Sequence, residues 1–445
     1  MPMNATRRYV LIGSGVAAVA AAQAIREQDS QGEILMISDD PAGYYSRPGL
    51  AYYLTGEVGE KQLFPLGAEE FRYLGIQRLQ AQVTKIDPQA HRLSLQNQHL
   101  IQYDRLLIAT GARAVRLQGS GVDLPGMVKL DDLADARSIL KLARRNRTAV
   151  VVGGGITALE IAEGLLARGV KTHYFLRGER YWSNVLDASE AQIVEQRLEE
   201  HGVILHRHTE VSEILSRGGK LGGVRTQNGQ VIPCDILAAA IGIQPRKGLA
   251  QAAGLQVEKG ILVNEYLLTS AADIFAAGDV AQVFDPVTGL AVLDSLWTPA
   301  RQQGEAAGLN MAGSWQPYRK AMPFNVTRLA DITTTIIGTV GKGKDADLAG
   351  IARGDSETWR FTPDALTAQV EQEVNRLRIV VGEQTLLGAI VMGDQSLSLP
   401  LQQIIAAQVD ISSIRRLLLQ PGASLAKILV DFWASHAEKY DRPTH

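Results

Sequence analysis

The chain has 445 residues, enough for two or three domains with formed cores, and a formal net charge of -2. That balance excludes the basic field needed to hold nucleic acid or an anionic lipid surface. The single cysteine excludes a disulfide framework, a cysteine-built zinc cluster and an internal redox-active cysteine pair, and it points to the cytosol.

Arg7-Arg8 ahead of the uncharged run Tyr9 to Ile25 is superficially similar to an export signal. Cleavage there would destroy a glycine turn inside the run, so a cytoplasmic location is expected. Residues 9–13 predict a buried parallel strand, Val16 to Glu27 an Ala-rich helix, and Glu33 to Ser38 a second strand, together one βαβ unit. Pro41 to Glu60 reads as irregular. Arg105 to Ala109 predicts an apolar strand entering the turn Ala109-Thr-Gly-Ala112, and Arg113 to Gly126 reads as a crossing segment. A second βαβ unit is expected over Ala149 to Arg177. Val224 to Ala240 alternates apolar residues around Asn228-Gly229, a hairpin turn. Ala271 to Val280 predicts a strand ending in Gly278-Asp279, followed by a helix from Pro299 to Gly313. From Phe324 onwards strand-like runs (Leu377 to Val381, Leu387 to Met392) mix with helical ones. The last helix, Ser424 to Lys439, puts Leu425, Ile428, Leu429 and Phe432 on one stripe suited to docking on its own domain. No other uncharged apolar run is long enough to span a bilayer, so a membrane association is not expected.

Two turns carry the chemistry. Gly13-Ser-Gly15-Val-Ala-Ala18 and Gly153-Gly-Gly155-Ile156-Thr-Ala158 each follow an apolar strand and open a helix. In this pattern the first glycine permits the tight turn, the second admits a pyrophosphate to the backbone, and the alanine allows close helix–sheet packing. Two such turns imply two dinucleotide pockets, and hence electron transfer between them. Asp39, at the end of the second strand, is expected to accept ribose hydroxyls, with Ser38 and Asp40 as neighbours. In the second unit the equivalent place is Leu176, followed by Arg177, Glu179 and Arg180. With no carboxylate there, Arg177 and Arg180 favour the 2′-phosphate of NADPH, while Glu179 keeps NADH open. His206-Arg-His208 has strand-like i, i+2 spacing with no third ligand, so no metal site is expected. Cys234 precedes a buried strand and reads as packing.

The ordered motifs Gly13/Gly15, Ala109-Thr110-Gly111-Ala112, Gly153/Gly155, Ala240-Ile-Gly242-Ile-Gln-Pro245 and Ala277-Gly278-Asp279 resemble the pyridine nucleotide-disulfide reductase superfamily of FAD/NAD(P) oxidoreductases, over about residues 9–315. Tyr45-Ser-Arg47-Pro48-Gly-Leu50 is similar to the flavin-lining segment of ferredoxin and rubredoxin reductases and of the nitrite reductase flavin subunit. Leu329 to Gly338 is similar to the start of the C-terminal domain in nitrite-reductase-like members. The resemblance implies an α/β fold of two nested Rossmann-like domains plus a C-terminal α+β domain. The FAD domain would be split (1–115 and 246–320), the NAD(P) domain inserted (116–245), and the C-terminal domain (321–445) a candidate homodimer face.

By the same resemblance FAD occupies the first pocket. Asp279 would meet its ribityl or pyrophosphate region, and Arg47 and Pro48 would lie against the isoalloxazine. Ala109, Thr110 and Gly111 would line the pyrophosphate side, Val83 would offer backbone to the adenine, and Trp297 and Thr298 would approach the pyrimidine end. Read alone, Asp279 equally fits a helix N-cap and Trp297 a core residue. Ile156 and Gly242 would be cofactor-binding, Glu160 would sit near the nicotinamide, and Glu160 and Arg47 are the expected catalytic residues. Two departures stand out. The Tyr45–Leu50 stretch has no cysteine, which excludes thiol chemistry, and Tyr52 occupies the place where related reductases carry a lysine to pair with the glutamate. The expected activity is hydride transfer from NAD(P)H to FAD and onward transfer to an iron–sulfur or rubredoxin-type protein or a partner reductase subunit. Quinone or dioxygen reduction, or a redox-responsive binding protein, are the alternatives.

Overall fold

In the computed structural model, residues 6–286, 289–340, 349–354 and 375–436 are described. The strand Arg8–Ile12 is the centre of a five-stranded parallel sheet. The order across it is Ile274–Ala276, Arg105–Ile108, Arg8–Ile12, Glu33–Ser38 and Ile76–Gln80. The central strands are apolar on both faces because both faces are covered: Val10, Leu11, Leu106, Leu107 and Ile108 are fully buried. The helix Val16–Gln28 packs against a second helix, Trp297–Ala312, at unusually short range. A Cβ at Gly304 would stand 2.1 Å from the Ala17 carbonyl oxygen, and one at Gly308 2.4 Å from that of Ala21. The alanine face of the first helix and the two glycines of the second are therefore one packing device.

A second five-stranded parallel sheet repeats the design, in the order Ile204–His206, Lys171–Phe175, Thr148–Val152, Ile236–Ala239 and Met127–Val128. The chain passes between the two sheets where Ala112–Ala114 pairs antiparallel with Ile243–Pro245, so it leaves and returns side by side. Two local expectations change. The Asn228-Gly229 turn does join Lys220–Thr226 to Val231–Ile232, but Ile236–Ala239 is not part of that hairpin. Its four residues are all buried, and a run covered on both faces belongs in the parallel sheet. Within the stretch read as irregular, Gly49–Thr55 forms a short helix behind Pro48, held by Leu50 and Leu54 in the core.

The C-terminal domain is a five-stranded antiparallel sheet in the order Phe324–Leu329, Ile332–Gly338, Leu386–Met392, Arg376–Val381, Ala349–Gly354. The helices Ser398–Ala406, Ser412–Leu418 and Leu425–Ala434 bury Leu401, Ile404, Leu418, Leu425, Leu429 and Phe432 with it. Ile428 packs beside them, so the predicted apolar stripe docks on its own domain. Residues 437–439 of the predicted last helix lie outside the described residues. The whole is two nested Rossmann-like units plus an α+β domain. Among the described residues no helix is long and apolar enough to cross a membrane.

Candidate functional site

Each glycine turn is built on the same contact. Gly13 has φ +121°, and a Cβ there would stand 2.2 Å from the Ala109 carbonyl oxygen. Gly153 has φ +150°, and its Cβ would stand 2.2 Å from the Ala240 carbonyl oxygen. Only glycine turns this tightly against a neighbouring strand end. Gly15 and Gly155 start their helices without a side-chain cap, and a Cβ at either would enter open space. Uncapped N–H groups facing open space suit a phosphate. Ala18 and Ala158 are fully buried against their sheets. Gly111 (φ +65°) and Gly242 (φ +126°) also border open space.

Around the first turn, Ser14 Oγ lies 3.0 Å from Ser38 Oγ, and Asp39 next to it is exposed. Val83 is buried at the start of the strand Val83–Asp87. The Thr110 hydroxyl donates to the Arg246 carbonyl at 3.0 Å. The strand before Gly278 is shorter than expected and stops at Ala276; the Gly278 N–H is then held by Gln303 Oε1 at 2.8 Å, and Asp279 is half-buried in the turn that follows. Burial pushes the Asp279 carboxyl up, Arg47 opposes this and Asp294 adds to it. Asp279 caps no helix. Trp297 is 42% exposed in the first turn of an uncapped helix that also carries Thr298, so it is not a core residue.

Around the second turn, Leu176 is buried at the end of Lys171–Phe175, while Arg177 and Glu179 are exposed. Arg180 is half-buried, its Nε shielded from solvent without a partner, and its Nη1 is 3.9 Å from Glu179. Glu195 holds this loop, accepting the Tyr181 N–H at 2.6 Å and Arg207 Nε at 2.9 Å. Trp182 N–H donates to the Gly154 carbonyl at 3.1 Å, so the loop closes over the glycine turn.

The two turns are linked by one helix. Gly49–Thr55, entered through Arg47-Pro48, lies directly on the helix Ile156–Ala167: a Cβ at Gly164 would stand 2.6 Å from Leu54 Cβ. Arg47 donates to the Asp131 carbonyl and sits 5.6 Å from the Tyr45 ring centroid. Tyr45 in turn accepts the Leu133 N–H at 3.0 Å. Glu160 is half-buried, and burial alone pushes its carboxyl up to about 7. Tyr52, on the neighbouring helix, carries Arg328 over its ring at 5.3 Å.

Sequence reasoning missed Glu163 and Arg328. Glu163 follows Glu160 by one turn, and burial first, then Asp331, pushes it up to about 7. Its signal was legible: a second carboxylate at i+3 in an otherwise apolar helix. Arg328 left no signal, because its partner Glu57, bound at 2.8 Å, is 271 residues away. That hydrogen bond holds Glu57 down to about 2.

Cys234 is buried with Val150, Phe175 and Leu237, and burial pushes its thiol up to about 12, which suits packing and not thiolate chemistry. His206 Nε2 is 2.9 Å from His173 Nδ1, whereas His208 lies in a turn with φ +51°. The strand ends at His206, so the i, i+2 spacing does not put the two histidines on one face. Among the described residues no group of three His, Cys, Asp or Glu side chains is placed to hold a metal.

Residues 7–304 match the model of the pyridine nucleotide-disulphide oxidoreductase family. Rhodocoxin reductase of Rhodococcus erythropolis is 32% identical over 318 residues, covering 71% of this chain and 74% of that protein. The ferredoxin–NAD(+) reductase component of the anthranilate 1,2-dioxygenase system of Burkholderia cepacia is 31% identical, covering 80% and 86%. The solved covalent complex of putidaredoxin reductase with putidaredoxin aligns with a TM-score of 0.84 at 25% identity, over 97% of this chain and 100% of the matched one. With the family model spanning both glycine turns and the Ala277-Gly278-Asp279 segment that follows the strand Ile274–Ala276, the chain belongs to the pyridine nucleotide-disulphide oxidoreductase family and is an enzyme of that redox class.

Proposed function

We propose that this chain is an FAD-dependent NAD(P)H reductase that delivers electrons to a separate carrier protein of the iron–sulfur or rubredoxin type, or to a partner reductase subunit. The observation that carries the reading is the duplicated turn, each copy with a glycine forced against an alanine carbonyl and an uncapped helix start beyond it. In this reading residues 1–115 and 246–320 hold FAD, 116–245 hold the nicotinamide nucleotide, and 321–445 form the C-terminal domain. The open space at Gly15, Gly111, Gly155 and Gly242 is what pyrophosphate and ribose would fill.

When bound, the nicotinamide and isoalloxazine supply hydride transfer between themselves. The chain supplies orientation and exclusion of water. Gly13, Gly15 and Ala18 seat the FAD pyrophosphate, Asp39 takes the ribose hydroxyls, and Asp279 takes the ribityl chain. Arg47, Pro48, Trp297 and Thr298 wall the isoalloxazine, with Val83, Ala109, Thr110, Gly111 and Gly278 around them. Gly153, Gly155, Ile156 and Gly242 seat the second nucleotide, Glu160 borders its nicotinamide, and Arg177 and Arg180 take a 2′-phosphate. No cysteine stands between Tyr45 and Leu50 to receive electrons, so they leave to an external acceptor. Named partners of the relatives, ferredoxin and putidaredoxin among them, support a small iron–sulfur protein in that role. The single cysteine, free and buried, favours the cytoplasm.

Anaerobic mixing of the flavin-loaded protein with NADPH or NADH tests this. The flavin absorption should bleach on the timescale of turnover and recover when an iron–sulfur or rubredoxin-type protein is added. Protein that stays colourless after FAD reconstitution, or a flavin that neither nucleotide reduces, would end the reading.

A further inference from the structure

The loop between Leu176 and the helix Ala188–Glu200 carries Arg177 and Arg180 and closes over the second glycine turn. Its backbone is strained at one residue. Trp182 has φ +46°, a left-handed conformation that a bulky aromatic residue rarely adopts. Hydrogen bonds on both sides hold it there. The Trp182 N–H donates to the Gly154 carbonyl at 3.1 Å, and the Trp182 carbonyl accepts the Val185 and Leu186 N–H groups at 2.9 and 3.0 Å. Such a conformation persists only where the surroundings over-determine it.

The two ends of the loop are fastened by different domains. At its entrance the Leu176 N–H donates to the His206 carbonyl at 2.9 Å and the Tyr181 N–H to Glu195 at 2.6 Å, both within the second Rossmann-like unit. At its exit the fastening comes from the C-terminal domain. Arg378, buried on the strand Arg376–Val381, spreads its three nitrogens over three partners. Nε donates to Glu190 at 2.8 Å, Nη1 to the Val340 carbonyl at 2.9 Å and Nη2 to the Val185 carbonyl at 2.7 Å. Arg376 Nη2 reaches Asp187 Oδ2 at 3.0 Å, where the loop becomes helix. Asp187 and Glu190 each accept the other's N–H at 2.8 Å, so both arginines grip one capped helix start.

We propose that Arg378, assisted by Arg376, is a positioning residue for nucleotide binding: the C-terminal domain holds the loop in the form that grips the nicotinamide nucleotide. This rests on the assignment of the second glycine turn to that nucleotide. A planar guanidinium suits the task, because one group must serve a carboxylate and two carbonyls in fixed directions; a lysine ammonium keeps only the charge opposite Glu190. Once the Val185 carbonyl is released, Trp182 relaxes out of the left-handed region and its N–H leaves Gly154. Arg177 and Arg180 then lose their fixed place beside the turn. The loop grips for a fraction of the time, and the apparent dissociation constant rises by the inverse of that fraction.

The test compares the parent flavoprotein with Arg378→Lys. In the nucleotide-free proteins, hydrogen exchange of the backbone amides over residues 177–187 should be faster in the variant. The dissociation constant of whichever of NADPH and NADH binds the parent more tightly should rise about tenfold, the effect of a loop left in its gripping form about a tenth of the time. FAD content and the limiting rate of flavin reduction at saturating nucleotide should stay near the parent's, so the loss falls on binding. A second variant, Arg378→Met/Glu190→Leu, removes the buried pair as a whole and regains stability, yet leaves the Val185 carbonyl without its donor. Its nucleotide affinity should stay weak, whereas a merely structural role would return affinity together with stability. Parent-like exchange and affinity in Arg378→Lys, or affinity that recovers with stability in the double variant, would overturn the proposal and leave the reductase reading intact. A parent flavoprotein that binds neither nucleotide would instead overturn the assignment of the second turn, and this proposal with it.

Discussion

Arg177 and Arg180 follow the same strand but end in different surroundings. Arg177 is exposed at the rim of the second turn, whereas the Arg180 Nε is shielded from solvent beside Tyr181 and without a partner. Leu176 before them is buried, so no carboxylate competes with a 2′-phosphate at the strand end. Replacing Arg177 by Glu is expected to weaken NADPH binding about tenfold or more, the scale of a lost charge-assisted hydrogen bond, with NADH nearly unaffected. Titration of both nucleotides against the flavoprotein checks it, and an unchanged NADPH affinity would remove Arg177 from the pocket. The placement of the two arginines just beyond the strand Lys171–Phe175 was legible because it is set by neighbours in the sequence. Glu163 was half-legible, as a charge in an apolar helix, but its setting beside the Ala330-Asp331 turn, where burial and then Asp331 push its carboxyl up, was not.

Strands and helices that read well were those whose partners lie close in the chain. Both βαβ units occur where the glycine pattern puts them, because strand, turn and helix are continuous and the turn is chemically specified. Elements decided by distant partners read less well. Ile236–Ala239 was drawn into a hairpin that tertiary burial denies it, and Gly49–Thr55 exists because Leu54 lands against Gly164. The same logic governs the strand Arg376–Val381. Its Arg378 Nε binds Glu190 at 2.8 Å and its guanidinium donates to the Val340 and Val185 carbonyls, while Arg376 reaches Asp187 at 3.0 Å. Asp187 and Glu190 form the capping box of the helix Ala188–Glu200, which closes the loop over the second turn. Arg378→Met would leave buried Glu190 with only Arg376 Nε, 3.9 Å away, and the Asp187 N–H of the capping box, and should cost up to about 3–5 kcal/mol in chemical denaturation. Adding Glu190→Leu should restore much of that, and a double variant no more stable than Arg378→Met alone would show that the pair is not what joins the domains.

Over the full chain, pH acts on stability through two opposing sets of carboxyls. Glu160 and Glu163 are raised to about 7 by burial, so the folded state favours their protonated forms. That contribution is present below the ordinary carboxyl value of 4.5 and is lost as pH rises towards and through 7. Glu57 is lowered to about 2 by Arg328, so its contribution is present above 4.5 and lost as pH falls; being exposed, it counts for little. The Glu160→Gln/Glu163→Gln protein should therefore melt at a higher temperature than the parent at about pH 8, and at nearly the same temperature at about pH 5. Calorimetry at the two pH values decides it, and equal melting points at the higher pH would mean the pair is not desolvated.

What the amino-acid sequence settled unaided was local and repeated: two glycine turns, the strands that feed them, the lack of a cysteine pair, and from these a flavin–nicotinamide oxidoreductase. Short-range geometry determines such features, since a turn of given φ admits few residues wherever it occurs. The antiparallel docking domain, the hairpin tip set against Glu163, the Arg328–Glu57 clamp and the buried arginines on Glu190 were decided only by the folded chain. Their partners lie from 167 to 271 residues apart, and a contact across that distance leaves no period or spacing in the chain because only burial and charge pairing in three dimensions select it.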